Sequence, residues 1–277
     1  MWGYYLRKSS HLVGVITASL LLVACTASAK AQPAKAQPAM AQPAKAQPAR
    51  AQPAAAKKDP LTSSCQRPKL VSTSRLSPWQ NAGYYVSNDM WNVDGYNVRQ
   101  TLSACSYRNW YVTATMTNNT PRNVVKTYPN VYRTFPAVQV RKYHAITAAY
   151  SHGSTGGGTY EDAFDIWFNG VAQSWATEIM IWTDTHSQVP RGSVAGHVTL
   201  AGKQYTVWKD GNVITFVAAK NSSAAILNLL GFFSYVIGKK WMTNQAELRQ
   251  VSYGVELVST NGVPKTFAIT NFWVTAT

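Results

Sequence analysis

Residues 31–55 are five consecutive pentamers, each Ala-Gln-Pro-Ala followed by Lys, Met, Lys, Arg or Ala in turn. A proline at every fifth position removes a backbone donor and breaks both helix and sheet ladder. Alanine and glutamine offer little apolar area to bury, so this stretch cannot join a packed core. It reads as an extended, polyproline-like spacer, and its repeats are too short and polar for a solenoid. Folding is thereby confined to the chain beyond the spacer. No aromatic residue occurs between Tyr5 and residue 65. The remaining chain, roughly 210 residues, is long enough for one domain with a sizeable core.

The segment before the spacer reads as an export signal. Arg7 and Lys8 precede a mostly apolar run from His11 to Ala24 that is short for a membrane span. Leu22-Val23-Ala24-Cys25 resembles a bacterial lipobox, in which Cys25 would be lipidated and become the mature N-terminus. Cleavage after Ala27-Ser28-Ala29 is the competing reading. The expected organisation is a lipoprotein-type signal over 1–29, a spacer over 30–64 and a folded domain over 65–277. The protein would be exported, as a bacterial cell-surface lipoprotein or a secreted monomer, with membrane contact only through the N-terminal lipid. In an oxidising compartment, Cys65 and Cys105 would form one disulfide or remain two buried thiols.

The net charge of +15 divides into +7 over residues 1–60 and +8 over 61–277. In the latter part only Arg141-Lys142 and Lys239-Lys240 are adjacent basic pairs. Nucleic-acid binding wants a clustered stripe, so a solvated basic surface is the better reading and no nucleic-acid partner is expected.

From Val71 onward, short runs rich in β-branched and aromatic residues alternate with turn signals. Trp110–Met116, Asp165–Phe168, Glu178–Trp182, Val213–Val217, Val251–Leu257 and Phe267–Val274 read as strands. Asn118-Asn119, Gly156-Gly157, Asp210-Gly211 and Asn261-Gly262 read as turns. Gly156-Gly157-Gly158 lacks the Lys-Ser/Thr of a phosphate loop and reads as a hairpin loop. One helix is expected over Ala224–Ile237, capped by Asn221 or Ser222 and ended by Gly238. Many strands without βαβ alternation indicate an all-β, two-sheet sandwich or jelly roll with one short helix.

Only four glutamates fall in the domain: Glu161, Glu178, Glu247 and Glu256. Alternation places Glu178, Met180 and Trp182 on one strand face, with Ile179 and Ile181 on the other. A carboxylate beside a thioether and an indole is unusual for a plain solvent face, since sugar rings stack on indole. In Tyr253–Leu257, Gly254 and Glu256 share a face, and the glycine is expected to leave room for a ligand. Glu161 and Glu247 read as solvated. The five histidines show no paired metal spacing, the two domain cysteines have no histidine nearby, and no Gly-x-Ser-x-Gly elbow occurs. These residues offer no metal-site spacing.

Five segments, in order, resemble glycoside hydrolase family 12: Asn88–Asn92, Val125–Asn130, Ala163–Trp167, Glu178–Trp182 and Tyr253–Glu256. Asp89 stands where that pattern has asparagine, and Asn92 where it has glycine. The resemblance implies a concanavalin-like β-jelly-roll with an open cleft and an endo-acting β-1,4-glucanase that uses neither metal nor cofactor. It implies Glu178 as nucleophile, Glu256 as general acid/base and Asp165 as the aspartate accompanying the nucleophile. It implies Trp91, Asn88, Tyr128, Met180 and Trp182 as substrate-binding residues, and a β-glucan as the partner. A retaining, double-displacement reaction would follow, with carboxyl groups roughly 5–5.5 Å apart. A surface lipoprotein that binds glucan without turnover is the alternative.

Overall fold

A computed structural model describes residues 61–120 and 123–277. The signal, Cys25 and the pentamer spacer lie outside the described residues.

The chain forms a two-sheet β sandwich. The six-stranded sheet runs in the order β1 (Leu70–Ser72), β4 (Arg99–Ser106), β5 (Asn109–Thr115), β15 (Lys265–Ala276), β7 (Ile146–Ser154), β13 (Ala224–Asn228). The nine-stranded sheet runs β10 (Ser193–Leu200), β11 (Lys203–Asp210), β12 (Val213–Ala218), β9 (Thr177–His186), β8 (Thr159–Phe168), β14 (Glu247–Ser259), β6 (Asn130–Gln139), β3 (Tyr84–Ser87), β2 (Trp79–Asn81). Its β12–β9 pair is parallel. This is the all-β jelly roll that the alternating runs indicated.

Alternation directs one residue of every two between the sheets. Trp110, Val112, Phe272 and Val274 of the smaller sheet meet Phe164, Ile166, Ile179, Ile181, Tyr253 and Val255 of the larger one, all almost fully buried. Each such side chain contributes roughly 1.5–3 kcal/mol relative to exposure. Cys65, in a short 3-10 turn, is joined to Cys105 at the end of β4 by a disulfide enclosing a separation of 40 residues. In the chain-entropy account a loop of that length is worth about 4 kcal/mol.

Two local readings are corrected. The helix α1 spans Leu229–Gly238, capped by the Asn228 side chain, which accepts from the Leu230 N–H. Residues 224–228 form β13 instead, paired antiparallel with β7. Sheet pairing across sequence overrides a helical pattern that begins in apolar, helix-tolerant residues. The glycine loop at 156–158 is a crossover rather than a hairpin, because β7 and β8 belong to different sheets. All three glycines have positive φ, at 71°, 73° and 103°, which side chains resist.

Candidate active site

The chemistry-bearing residues gather on the face of the nine-stranded sheet that points away from the core, on the adjacent strands β9, β8 and β14. Glu178, Met180 and Trp182 share that face of β9, while Ile179 and Ile181 are fully buried opposite. On β14, Glu256 shares the outer face with Gly254, while Tyr253, Val255 and Leu257 enter the core. β8 lies between and contributes Glu161, Ala163 and Asp165.

Register decides which groups meet. Trp167 of β8 stands opposite Glu178, and Asp165 opposite Met180, so Asp165 is the diagonal neighbour of Glu178. The two carboxyl groups hydrogen-bond to each other, and the Trp167 indole N–H donates to Asp165 Oδ2 at 2.8 Å. Burial first, then the charge of Glu256, raises Asp165 to about 8, against the opposing Trp167 bond. Glu178 is pushed well above the usual range by burial, then by the charges of Asp165 and Glu256, with Arg191 pulling the other way. Two close, buried carboxyls cannot both ionise cheaply, so the pair titrates together.

Glu161 departs from its expected solvated place. It is fully buried and stands directly opposite Glu256 in the β8–β14 register. The two carboxyl groups face each other across the β8–β14 pair, within range of a hydrogen bond once one of them carries a proton. Burial pushes Glu161 well up, and the Glu256 charge adds to this. Burial also raises Glu256, and the Glu161 hydrogen bond counters that rise. Glu256 itself remains partly exposed. Glu247 is partly exposed and ion-pairs with Arg249 at 3.7 Å.

The segment 126–130 fixes the Glu256 strand. Lys126 N–H donates to the Leu257 carbonyl, Leu257 N–H to Thr127, and Val255 N–H to Pro129. Gly254 does not make room for a ligand, as expected from sequence. A Cβ there would overlap the Pro129 carbonyl oxygen and Asn130, so the glycine admits neighbouring backbone. Tyr128 is buried, and its hydroxyl donates to the Ala163 carbonyl two strands away at 3.0 Å. Asn88 is buried too. Its Oδ1 accepts from Gln100 Nε2 at 2.8 Å, and its Nδ2 donates to the Ser72 carbonyl at 3.4 Å. Asp89 follows with φ of 37° and accepts from Asn130 Nδ2 at 3.1 Å. Burial raises Asp89 to about 7, against the Asn130 bond, and the Glu256 charge adds to the rise. Met180 and Trp182 pack with Ala163 into a small apolar cluster separate from the main core. Trp91 is half-buried.

Spacing in sequence also hid a polar network on the core side. The β8–β9 register shifts between Asp162 and Ala163, so Asp162 pairs with Asp184 while Ala163 pairs with Trp182. Thr183 is thus the extra residue of a bulge. Asp162 and Asp184 approach His152 of β7, whose Nε2 lies 3.8 Å and 3.4 Å from their carboxylate oxygens. His152 Nδ1 meets the Tyr253 hydroxyl at 2.6 Å. Burial alone would lower His152, but Asp162 and Asp184 outweigh it and the net shift is upward. Among the described residues these three form the grouping with metal-ligand spacing, within 4.8 Å of one another, which the sequence did not suggest. The imidazole already sits at ion-pair distance from Asp184, and the network faces away from Glu178 and Glu256.

Most of the chain matches a known family. The family model for glycosyl hydrolase family 12 matches residues 82–277. Endoglucanase S of Pectobacterium parmentieri is 25% identical over 208 residues, covering 68% of this chain and 73% of its own. The inactive glycoside hydrolase XLP1 of Phytophthora nicotianae is 25% identical over 190 residues, covering 62% and 79%. A native family 12 xyloglucanase from Bacillus licheniformis superposes with a TM-score of 0.67 at 24% identity, over 75% of this chain and all of that one. The xyloglucanase domain of NopAA from Sinorhizobium fredii, in complex with cellobiose, gives 0.68 at 22% identity, over 76% of this chain and 100% of that one; both likenesses speak to the fold. With most of its length matched by the family model, the chain belongs to glycosyl hydrolase family 12.

Proposed function

We propose that the chain is a retaining, endo-acting glycoside hydrolase that cuts β-1,4-glucosidic bonds in a cellulose-like glucan or a xyloglucan. Two carboxyl pairs on adjacent strands of one sheet face carry this reading. Glu178 is the nucleophile. When the shared proton rests on Asp165, that side chain donates to an ionised Glu178, which attacks the anomeric carbon. Glu256, partly exposed and raised by burial, gives its proton to the departing glycosidic oxygen and then takes one from the attacking water. Met180, Trp182 and Trp91 supply apolar and indole surface for the sugar, and Tyr128 and Asn88 hold the strands on which it rests. Export by the N-terminal signal, a lipid at Cys25 and a spacer holding a monomeric domain away from the envelope belong to the same reading.

Reducing-sugar release from carboxymethylcellulose, mixed-linkage glucan and xyloglucan tests it. Turnover on at least one, with new ends formed along the polymer, is expected. Binding without turnover on all three would instead favour a non-catalytic glucan-binding protein. One observation favours that second reading, namely that a relative of similar identity carries the name of an inactive glycoside hydrolase.

A further inference from the structure

We propose that Glu161 is the positioning residue of the acid/base, a carboxyl group that keeps its proton and donates a hydrogen bond to Glu256 throughout the reaction. This rests on the glucanase reading above and names a member that neither the family motifs nor the sequence pattern supplied.

The geometry leaves Glu161 little alternative. It is 0% exposed, and neither of its oxygens receives a hydrogen bond from a donor group of the protein. Among the described residues no N–H and no cation hydrogen-bonds to either oxygen, and an anion there would face a second carboxylate. Held protonated, it has one acceptor in register, Glu256. The titratable groups around the pair are Asp162 and Asp165 on β8, Glu178 on β9, Asp89 after β3, and Tyr128 before β6. None of these is a cation, and on β9 the residue opposite Glu161 is the neutral Thr185. Beside its partial exposure to solvent, an ionised Glu256 therefore has the Glu161 O–H as its stabilising partner.

In the first step Glu256 transfers its proton to the glycosidic oxygen as the C1–O bond breaks and Glu178 bonds to C1. The carboxylate left on Glu256 accepts the Glu161 O–H. In the second step a water oxygen bonds to C1, Glu178 departs with its electron pair, and Glu256 takes the water proton. Glu161 transfers nothing. It holds the Glu256 carboxylate in one orientation and restrains the rise in proton affinity that burial imposes.

Two variants separate this from a merely structural role. Glu161→Gln keeps a donor, so the basic limb of kcat/KM should stay at its wild-type position. Glu161→Met fills similar volume without donating, so the basic limb should move to higher pH. Its kcat on polymer should fall about tenfold or more relative to Gln, the size expected when a buried carboxylate loses a hydrogen bond, with KM little changed. A basic limb that is unmoved in a folded Met variant, or that drops in the Gln variant, would overturn the proposal, the latter by showing that Glu161 is an anion. Carbon-13 NMR of labelled glutamate side chains reads the same question without turnover. Glu161 should stay protonated across the range in which Glu256 titrates, and ionisation before Glu256 would overturn the proposal. If the wild type hydrolyses no glucan, the glucanase reading fails while the NMR titration still decides the state of Glu161.

Discussion

Asp165 and Glu161 project from the same face of β8, and each meets a glutamate on a neighbouring strand, but their surroundings differ. Asp165 accepts the Trp167 indole N–H, and its partner Glu178 feels the Arg191 charge. Glu161 has neither aid and no exposure at all. Burial raises the carboxyls of both pairs, but only the first has an N–H donor and a cationic charge nearby to offset it. A nucleophile must be ionised before it attacks, and a general acid must be protonated before it donates. Glu178 and Glu256 thus differ less in themselves than in what their β8 partners can stabilise.

The largest expected effect breaks the comparison outright. Glu178→Gln should abolish turnover on every glucan while leaving binding largely intact, as isothermal titration with an oligosaccharide would show. Glu256→Gln should cost about 10²–10⁴-fold on natural glucan but much less on an aryl glycoside whose leaving group departs unaided. Equal losses on both substrates would remove the distinction between the pairs.

Asp165→Asn sharpens the comparison at an intermediate size. The amide still donates to Glu178 but removes the neighbouring negative charge that raises it. The acidic limb of kcat/KM should move to lower pH, and kcat should fall roughly 10–100-fold as the shared proton is lost. A larger shift of the basic limb would show that Asp165 acts more strongly on Glu256 than on Glu178.

Local alternation read the strands of both glutamates correctly, because period-2 patterning is a property of a few consecutive residues. Glu178, Met180 and Trp182 lie on one face, and Glu256 opposes Val255 and Leu257, as read. Glu161 was not legible. Beside a glycine-rich loop, Tyr-Glu-Asp looks like a solvated strand start, and only pairing with β14 buries it. The same holds for His152, Asp162 and Asp184, which come from three strands and depend on the Thr183 bulge. The first turns of the expected helix were lost to β13 because pairing with β7 is equally non-local. Gly254 was visible but misread, since its neighbour is the backbone of Pro129 and Asn130 rather than a ligand.

Stability against pH gives a smaller effect with a defined sign. Asp89 and Asp162 rise from 3.8 to about 7, and Asp165 from 3.8 to about 8. A raised folded value means that the native state binds more protons than the unfolded chain between those limits, so stability falls as pH rises through them. His152 is raised as well and has the same sign. Thermal unfolding should therefore show a higher Tm near pH 4–5 than near pH 8, the window set by those values. Asp165→Asn should flatten the slope, and a Tm rising from acid to neutral pH would contradict the retention of protons by these buried groups. Smallest and most local, Gly254→Ala should destabilise the fold by about 1–3 kcal/mol through overpacking. In what remains folded, it should impair Glu256-dependent protonation more than attack by Glu178, so turnover of activated aryl glycosides should outlast that of polymer.

The division of roles between the two pairs is tested most directly by the azide products of two alanine variants on an activated aryl β-glycoside. With Glu256→Ala, azide should attack the glycosyl-enzyme and give the β-glycosyl azide. With Glu178→Ala, azide should take the nucleophile's place and give the α-glycosyl azide, both read by proton NMR from the anomeric coupling. A β-azide from Glu178→Ala, or an α-azide from Glu256→Ala, would contradict the assignment of the nucleophile to the pair that Asp165 supports.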